Sequence, residues 1–183
     1  MSRKITALVL LALAAGLVSA PAQAKKPVPP TTYYISWAGD CAGAGYLATK
    51  ASPNPDACAL FFPELGSSYS FGALDGLPFA LDAGKPLAVD FSLSHVASVA
   101  AKFDVTVSGQ VNGKDTEIAA GSTTVVAAGP GSTPVHLDLE PDAALHRGKV
   151  TMLSLTVTWS EGVTYSQMQL EGGDATLVLS RLK

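Results

Sequence analysis

The stretch LSLTVTWS, residues 153–160, alternates apolar and polar side chains at every second position. Successive side chains of a β-strand point to opposite faces, so this alternation is typical of a strand with one buried face. The apolar face of the stretch consists of Leu153, Leu155, Val157 and Trp159. Only Ser and Thr side chains form the other face, which we therefore expect to meet solvent.

The same period of two recurs along the chain, in AVDFSLS (residues 88–94) and KFDVTVSG (residues 102–109). The segments YYISW (residues 33–37) and ATLVLSRL (residues 175–182) are similar. Turn signals separate such segments: Asn112-Gly113 suits a tight hairpin turn because both central positions require positive φ, and Glu161-Gly162 predicts a second one. The spacing predicts about eight to ten strands and no long helix.

Many short strands with one apolar face must bury that face against a second layer. We therefore predict an all-β fold, an antiparallel two-sheet β-sandwich of the jelly-roll or Ig-like kind, with a closed barrel as the alternative. One domain is expected over residues 32–183, because the chain is long enough for a single core and carries no internal linker.

The N-terminus has the pattern of an export signal. Arg3 and Lys4 precede an uncharged apolar run, and Ala22-Gln23-Ala24 matches the small-x-small cleavage pattern. We predict a signal peptide over residues 1–24 and an extended, Pro-rich leader over residues 25–31. The apolar run is short for a permanent anchor, so we expect a protein that is secreted, periplasmic or on the cell surface.

The only two cysteines, Cys41 and Cys58, lie at the ends of a Gly-, Ala- and Pro-rich segment. In an exported protein such a pair predicts a disulfide, here one that staples an irregular loop. Closing that loop is worth about 3 kcal/mol in the loop-entropy account. A metal or redox site is the alternative, although the spacing matches no common pattern for either.

The chain from Lys25 onward carries all 15 acidic residues and 10 of the 12 Lys and Arg, a formal charge of about −5. This modest acidity argues against nucleic acid or anionic lipid as a partner. The sequence gives no indication of the oligomeric state.

A short run offers possible metal ligands. In HLDLEPD, residues 136–142, the side chains of His136, Asp138 and Glu140 fall on one face of the expected strand. Oxygen and nitrogen ligands placed this closely could hold calcium or a transition ion. The alternative is that this is simply the solvent face of the strand, and no cofactor is otherwise implied.

Three tyrosines are candidate ligand contacts, because an aromatic ring can stack on the apolar face of a sugar. Tyr33 lies beside Tyr34 in an expected strand, Tyr46 lies between the cysteines, and Tyr165 lies near a turn. With 7% aromatic residues the chain is not enriched for such a platform, and core packing is the alternative role.

No motif for catalysis is present in the sequence. GxSxG, HExxH and phosphate-binding glycine motifs are all missing, and none of the three histidines has an acid and a serine in a recognisable context. An enzymatic role is therefore the less favoured interpretation.

In layout the chain resembles the accessory β-sandwich modules of secreted bacterial proteins, including jelly rolls that are like carbohydrate-binding modules. The resemblance is carried by YYISW, the Cys41–Cys58 loop, the run DGLPFALDAGKPLAVDFSLS and the closing MQLEGGDATLVLS. It implies a non-catalytic binding module whose partner is a glycan or an envelope protein, and it assigns no site residue. A small secreted hydrolase and a structural subunit of a surface layer or appendage are the alternatives.

Overall fold

The computed structural model describes residues 28–37, 45–51, 58–163, 166–170 and 175–182, and in them it confirms the all-β class. Its strands, in chain order, are β1 (Thr31–Trp37), β2 (Gly45–Ala48), β3 (Cys58–Phe61), β4 (Ser68–Ala73), β5 (Phe79–Leu81), β6 (Leu87–His95), β7 (Val99–Val111), β8 (Lys114–Ala127), β9 (Gly131–Leu139), β10 (Lys149–Val163), β11 (Ser166–Leu170), β12 (Thr176–Leu179) and β13 (Arg181–Leu182). A single 3-10 turn, Ala143–Leu145, joins β9 to β10. No helix in the described ranges is long and apolar enough to cross a bilayer.

The first sheet is organised around β10, the strand that contains LSLTVTWS. β10 pairs along its length with β7, and β8 pairs with the far side of β7. The opposite edge of β10 is shared by β5 near its start and by β4 further along. The alternation is confirmed, because Leu155 and Val157 are fully buried while Ser154 and Thr156 lie on the outer face.

The second sheet is organised around β6 in the same way. β6 pairs with β9 on one edge, and its other edge is shared by β12 and β11. β1 pairs with β12, and β3 pairs with β11. The buried apolar side chains of β6 and β10 belong to one hydrophobic core that the two sheets share.

The two sheets are joined along one side and touch along the other. β2 pairs antiparallel with β1 and parallel with β4, so it connects the sheets through backbone hydrogen bonds. On the opposite side β8 and β9 lie against each other. The result is a two-layer sandwich that approaches a closed barrel. In the described residues thirteen strands, rather than the eight to ten expected, form one continuous hydrogen-bonded sheet that folds into the two layers. Two short strands share one edge of β10, and two share one edge of β6.

The two predicted hairpin turns have different outcomes. Asn112 and Gly113 have φ values of 52° and 80° and form the β7–β8 turn, as expected. The turn predicted at Glu161-Gly162 is wrong, because β10 continues through both residues to Val163. Gly162 has φ +86° one residue beyond the register shift with β7 between Trp159 and Glu161, so its positive φ occurs beside a β-bulge within the strand.

Several sequence predictions fall outside the described residues. The predicted signal peptide lies there entirely, as does Cys41, and of Cys58 only the backbone in β3 is described. The disulfide therefore stays a prediction. Of the predicted leader, residues 28–31 are described, and β1 begins at the last of them.

The core predicts a large cost for truncating Phe103. This β7 side chain is fully buried, and its ring lies 5.3 Å from that of Phe62 in an edge-on arrangement. We expect Phe103→Ala to lower the free energy of unfolding by about 3–5 kcal/mol, because the cavity adds to the lost burial. Urea denaturation measures this. The exposed control Ser122→Ala should change stability by about 0.5 kcal/mol or less, and equal effects of the two variants would contradict the core assignment.

Candidate functional site: a trough on the outer face of one sheet

Two β-bulges lie close together on the first sheet. In β10, Thr151 is an extra residue between the positions that pair with Val111 and Gln110 of β7. In β8, Ile118 is an extra residue opposite the step from Val107 to Ser108. A bulge bends its strand and increases the local twist. Because the two bulges flank the same part of β7, they curve the sheet there.

A glycine lets the strands approach closely at this point. A Cβ atom on Gly109 would overlap the backbone oxygen of Met152. Gly109 is paired with Leu153 and lies between the two bulges. The position therefore requires glycine for close backbone approach.

The curvature produces a depression of about 530 Å³ on the outer face of the sheet, here called the trough. This volume lies within the range of small-molecule sites. The residues that line it are Gly72, Ala73, Leu77, Ser108, Gly109, Gln110, Asp115, Thr116, Glu117, Thr151, Met152, Leu153 and Ser154. The trough is thus built from β4, β7, β8 and β10 and from the loop after β4.

The polar side of the trough carries groups that are free to bind a ligand. The Thr151 hydroxyl donates to the side-chain oxygen of Gln110 at 3.2 Å, which fixes the amide in place. The amide nitrogen of Gln110 and the carboxylates of Asp115 and Glu117 make no hydrogen bond or ion pair with any described residue. Donors and acceptors are therefore presented together along one wall.

The floor and opposite side of the trough are apolar. Met152 keeps 59% of its surface exposed, which is high for a large apolar side chain in a strand. Ala73 and Leu77 are half-buried beside it. An apolar surface next to orienting polar groups is the common composition of a ligand site.

The predicted metal ligands lie on the second sheet, where His136 has a partner, Asp90, that was not expected from the sequence. His136 of β9 pairs across the strands with Asp90 of β6, and its Nδ1 lies 2.6 Å from a carboxylate oxygen of Asp90. Its Nε2 faces Asp138 at 3.6 Å. The hydrogen bond and the charge of Asp90 raise the pKa of His136, with a smaller contribution from Asp138. Both ring nitrogens therefore face carboxylates, as in an imidazolium ion pair.

Glu140, the third predicted ligand, lies beyond the end of β9 and is exposed. Its side chain makes no hydrogen bond or ion pair with any described residue. Within the described ranges no three His, Cys, Asp or Glu side chains are grouped closely enough to hold a metal ion. The geometry around His136 is that of a cross-strand ion pair on the solvent face.

The three candidate tyrosines have different positions. Tyr33 is fully buried, and its hydroxyl accepts a hydrogen bond of 2.7 Å from Arg181, so its ring belongs to the core. Burial raises the pKa of Tyr33, and the charge of Arg181 opposes that effect. Tyr46 is half-buried in β2, on the strand that joins the two sheets, and Tyr165 lies outside the described residues.

The trough residues were not identified from the sequence, although the sequence contains a signal for them. In the sequence, Ala119 directly follows Ile118 and Leu153 directly follows Met152, so two apolar residues are adjacent in each stretch. Each pair breaks the alternation within a long strand, which is the mark of a bulge. The two breaks lie on either side of β7 because β7 pairs with both strands, and a single sequence does not reveal that pairing.

The chain was compared with known proteins. Protein-family models and curated proteins give no match. Among solved structures it is similar to a CocE/NonD family hydrolase from Staphylococcus aureus, at 12% identity and a TM-score of 0.61. The match covers 86% of this chain and 37% of that one, so the chain spans well under half of the hydrolase. At this identity the likeness shows a shared fold alone.

Carbohydrate-binding modules also occur among the similar structures. A CBM4 structure matches with a TM-score of 0.41 and a CBM28 module specific for non-crystalline cellulose with 0.44, each at 12% identity and over 78% of its own chain. They match 82% and 81% of this chain, respectively. Both scores are below 0.5, so the structural comparison of folds rests on the hydrolase.

The ion pair of His136 predicts a pH-dependent contribution to stability. Because the pKa of His136 is raised by Asp90 in the folded protein, the pair stabilises the fold below the ordinary pKa of about 6.5, and this is lost as the pH rises through the folded pKa. The imidazole is 59% exposed, so solvent screening limits the effect to about 0.5–1 kcal/mol.

A double-mutant cycle of His136→Asn and Asp90→Asn, followed by urea denaturation from about pH 5.5 to about pH 9, measures this coupling. We expect a coupling at the acidic end that fades at the alkaline end and weakens in salt. A coupling that grows with rising pH would contradict the assignment.

Proposed function

We propose that the protein is an exported binding protein that holds a glycan in the trough. The observation that carries this proposal is the combination of an apolar surface at Met152 with the unpaired amide nitrogen of Gln110 and the unpaired carboxylates on β8. A sugar has the matching surface: its CH groups contact an apolar side chain, and its hydroxyls exchange hydrogen bonds with planar polar groups.

Histidine-dependent hydrolysis in the trough is disfavoured by where the histidines lie. None of the three is among the residues that line the trough. His95 is 6% exposed and is engaged with Thr133 and the backbone of Ala97, while His146 faces Asp82 at 3.5 Å. His136 lies on the other sheet, where Asp90 holds it. A hydrolytic site in the trough would therefore depend on its carboxylates alone.

The trough predicts a direct binding test. Calorimetric titration of the purified protein with oligosaccharides of cellulose, xylan and chitin should detect binding to at least one of them. Met152→Ala removes much of the floor and Gln110→Ala removes the amide, and each should weaken the affinity about fivefold to thirtyfold, since contacts of this kind are worth about 1–2 kcal/mol.

Ser122→Ala is the matched control, because Ser122 is an exposed β8 side chain outside the trough. It should bind like the wild type. Absence of binding to every oligosaccharide, or full binding by both trough variants, would contradict the proposed function.

Export is the second part of the proposal, and it is supported by the signal pattern of residues 1–24. Mass spectrometry of the protein recovered outside the cytosol should find a chain that begins at Lys25. An oxidising compartment should also give the Cys41–Cys58 disulfide, so both cysteines should resist alkylation until they are reduced. A retained N-terminus, or alkylation without reduction, would contradict the corresponding prediction.

A further inference from the structure

The charges of the trough select among ligands. Asp115 and Glu117 are two positions apart on β8, so both side chains lie on the outer face of the sheet. Both line the trough, and no Lys, Arg or His is among the residues that line it. The lining thus carries a formal charge of −2 with no compensating cation.

These carboxylates differ from those of Asp90 and Glu161 on the same protein surface. Asp90 is neutralised by His136, and Glu161 is paired with Lys102 at 3.0 Å, whereas Asp115 and Glu117 have no ion-pair partner in the described part of the chain. A cationic ligand would supply the missing partner. An anionic ligand would be repelled, because like charges placed close together are unfavourable.

From this arrangement, and resting on the proposed function, we infer that the trough binds amino sugars: oligosaccharides whose protonated amines pair with Asp115 and Glu117. The remaining groups fit the rest of such a ligand. The Gln110 amide and the Thr151 hydroxyl are placed to meet sugar hydroxyls, and Met152 offers an apolar surface to the ring. Uronic acid oligomers are excluded by the same charges.

The test compares three probes of equal length: a glucosamine oligosaccharide, its fully N-acetylated counterpart and a galacturonate oligomer. Calorimetric titration at low salt should give the glucosamine oligomer an affinity about tenfold above that of the N-acetylated form, since two partly exposed ion pairs contribute this order of magnitude. The advantage should shrink at high salt. The galacturonate oligomer should bind weakest.

Three variants locate the effect. Asp115→Asn and Glu117→Gln should each lower the preference for the glucosamine oligomer about threefold while leaving binding of the N-acetylated form nearly unchanged. Glu64→Gln is the matched control, because it removes one exposed carboxylate from the β3–β4 loop, outside the trough. It should keep the full preference, and circular dichroism confirms that each variant is folded.

The possible failures are distinguishable. If the N-acetylated or galacturonate oligomer binds as tightly as the glucosamine oligomer, the inference is overturned while glycan binding in the trough stands. If the preference is present but survives both carboxylate substitutions, the inference is again overturned. If no oligosaccharide of any class binds, the proposed function itself fails.

Discussion

The structure depends on burying the apolar faces of β10 and β6 in one common core. Each of these strands is the central strand of its sheet, and every other described strand of that sheet pairs with it directly or through a neighbour. Side chains such as Leu155 and Val157 cannot leave water unless a second layer covers them. The two-layer architecture therefore follows from a period of two that is already visible in residues 153–160.

Local pattern was sufficient for the class of fold and for individual strands. The alternation in residues 88–94, 102–109 and 153–160 corresponds to β6, β7 and β10, and the Asn112-Gly113 turn joins β7 to β8. It was not sufficient for Glu161-Gly162, because positive φ at a glycine serves a bulge as well as a turn. A turn and a bulge can both use a residue with positive φ, and only the pairing of the strands around that residue distinguishes them.

The His136–Asp90 ion pair and the trough both depend on strand pairings between distant parts of the chain. The alternation placed His136 and Asp138 on one face, and that face is the exposed one. It did not supply Asp90, which comes from a strand about forty-five residues earlier and reaches His136 only through the β6–β9 register. The trough likewise needs β7 between two strands whose bulges lie on either side of Gly109. Long-range register is the information that a single sequence lacks.

The surface around Asp90 and the trough show that the residues next to a carboxylate decide whether it is available to a ligand. On the second sheet, Asp90 accepts from His136 at 2.6 Å and faces the hydroxyl of Thr176 at 3.5 Å, so its oxygens are already engaged. On the first sheet, the tight turn between β7 and β8 places Asp115 and Glu117 opposite Gln110 and Ser108, which carry no positive charge. An occupied carboxylate contributes to the fold, and an unoccupied one is available to a ligand. At the surface that suggested a metal site, the carboxylate of Asp90 is therefore already bonded to His136. In the trough, the carboxylates of Asp115 and Glu117 are available to a ligand.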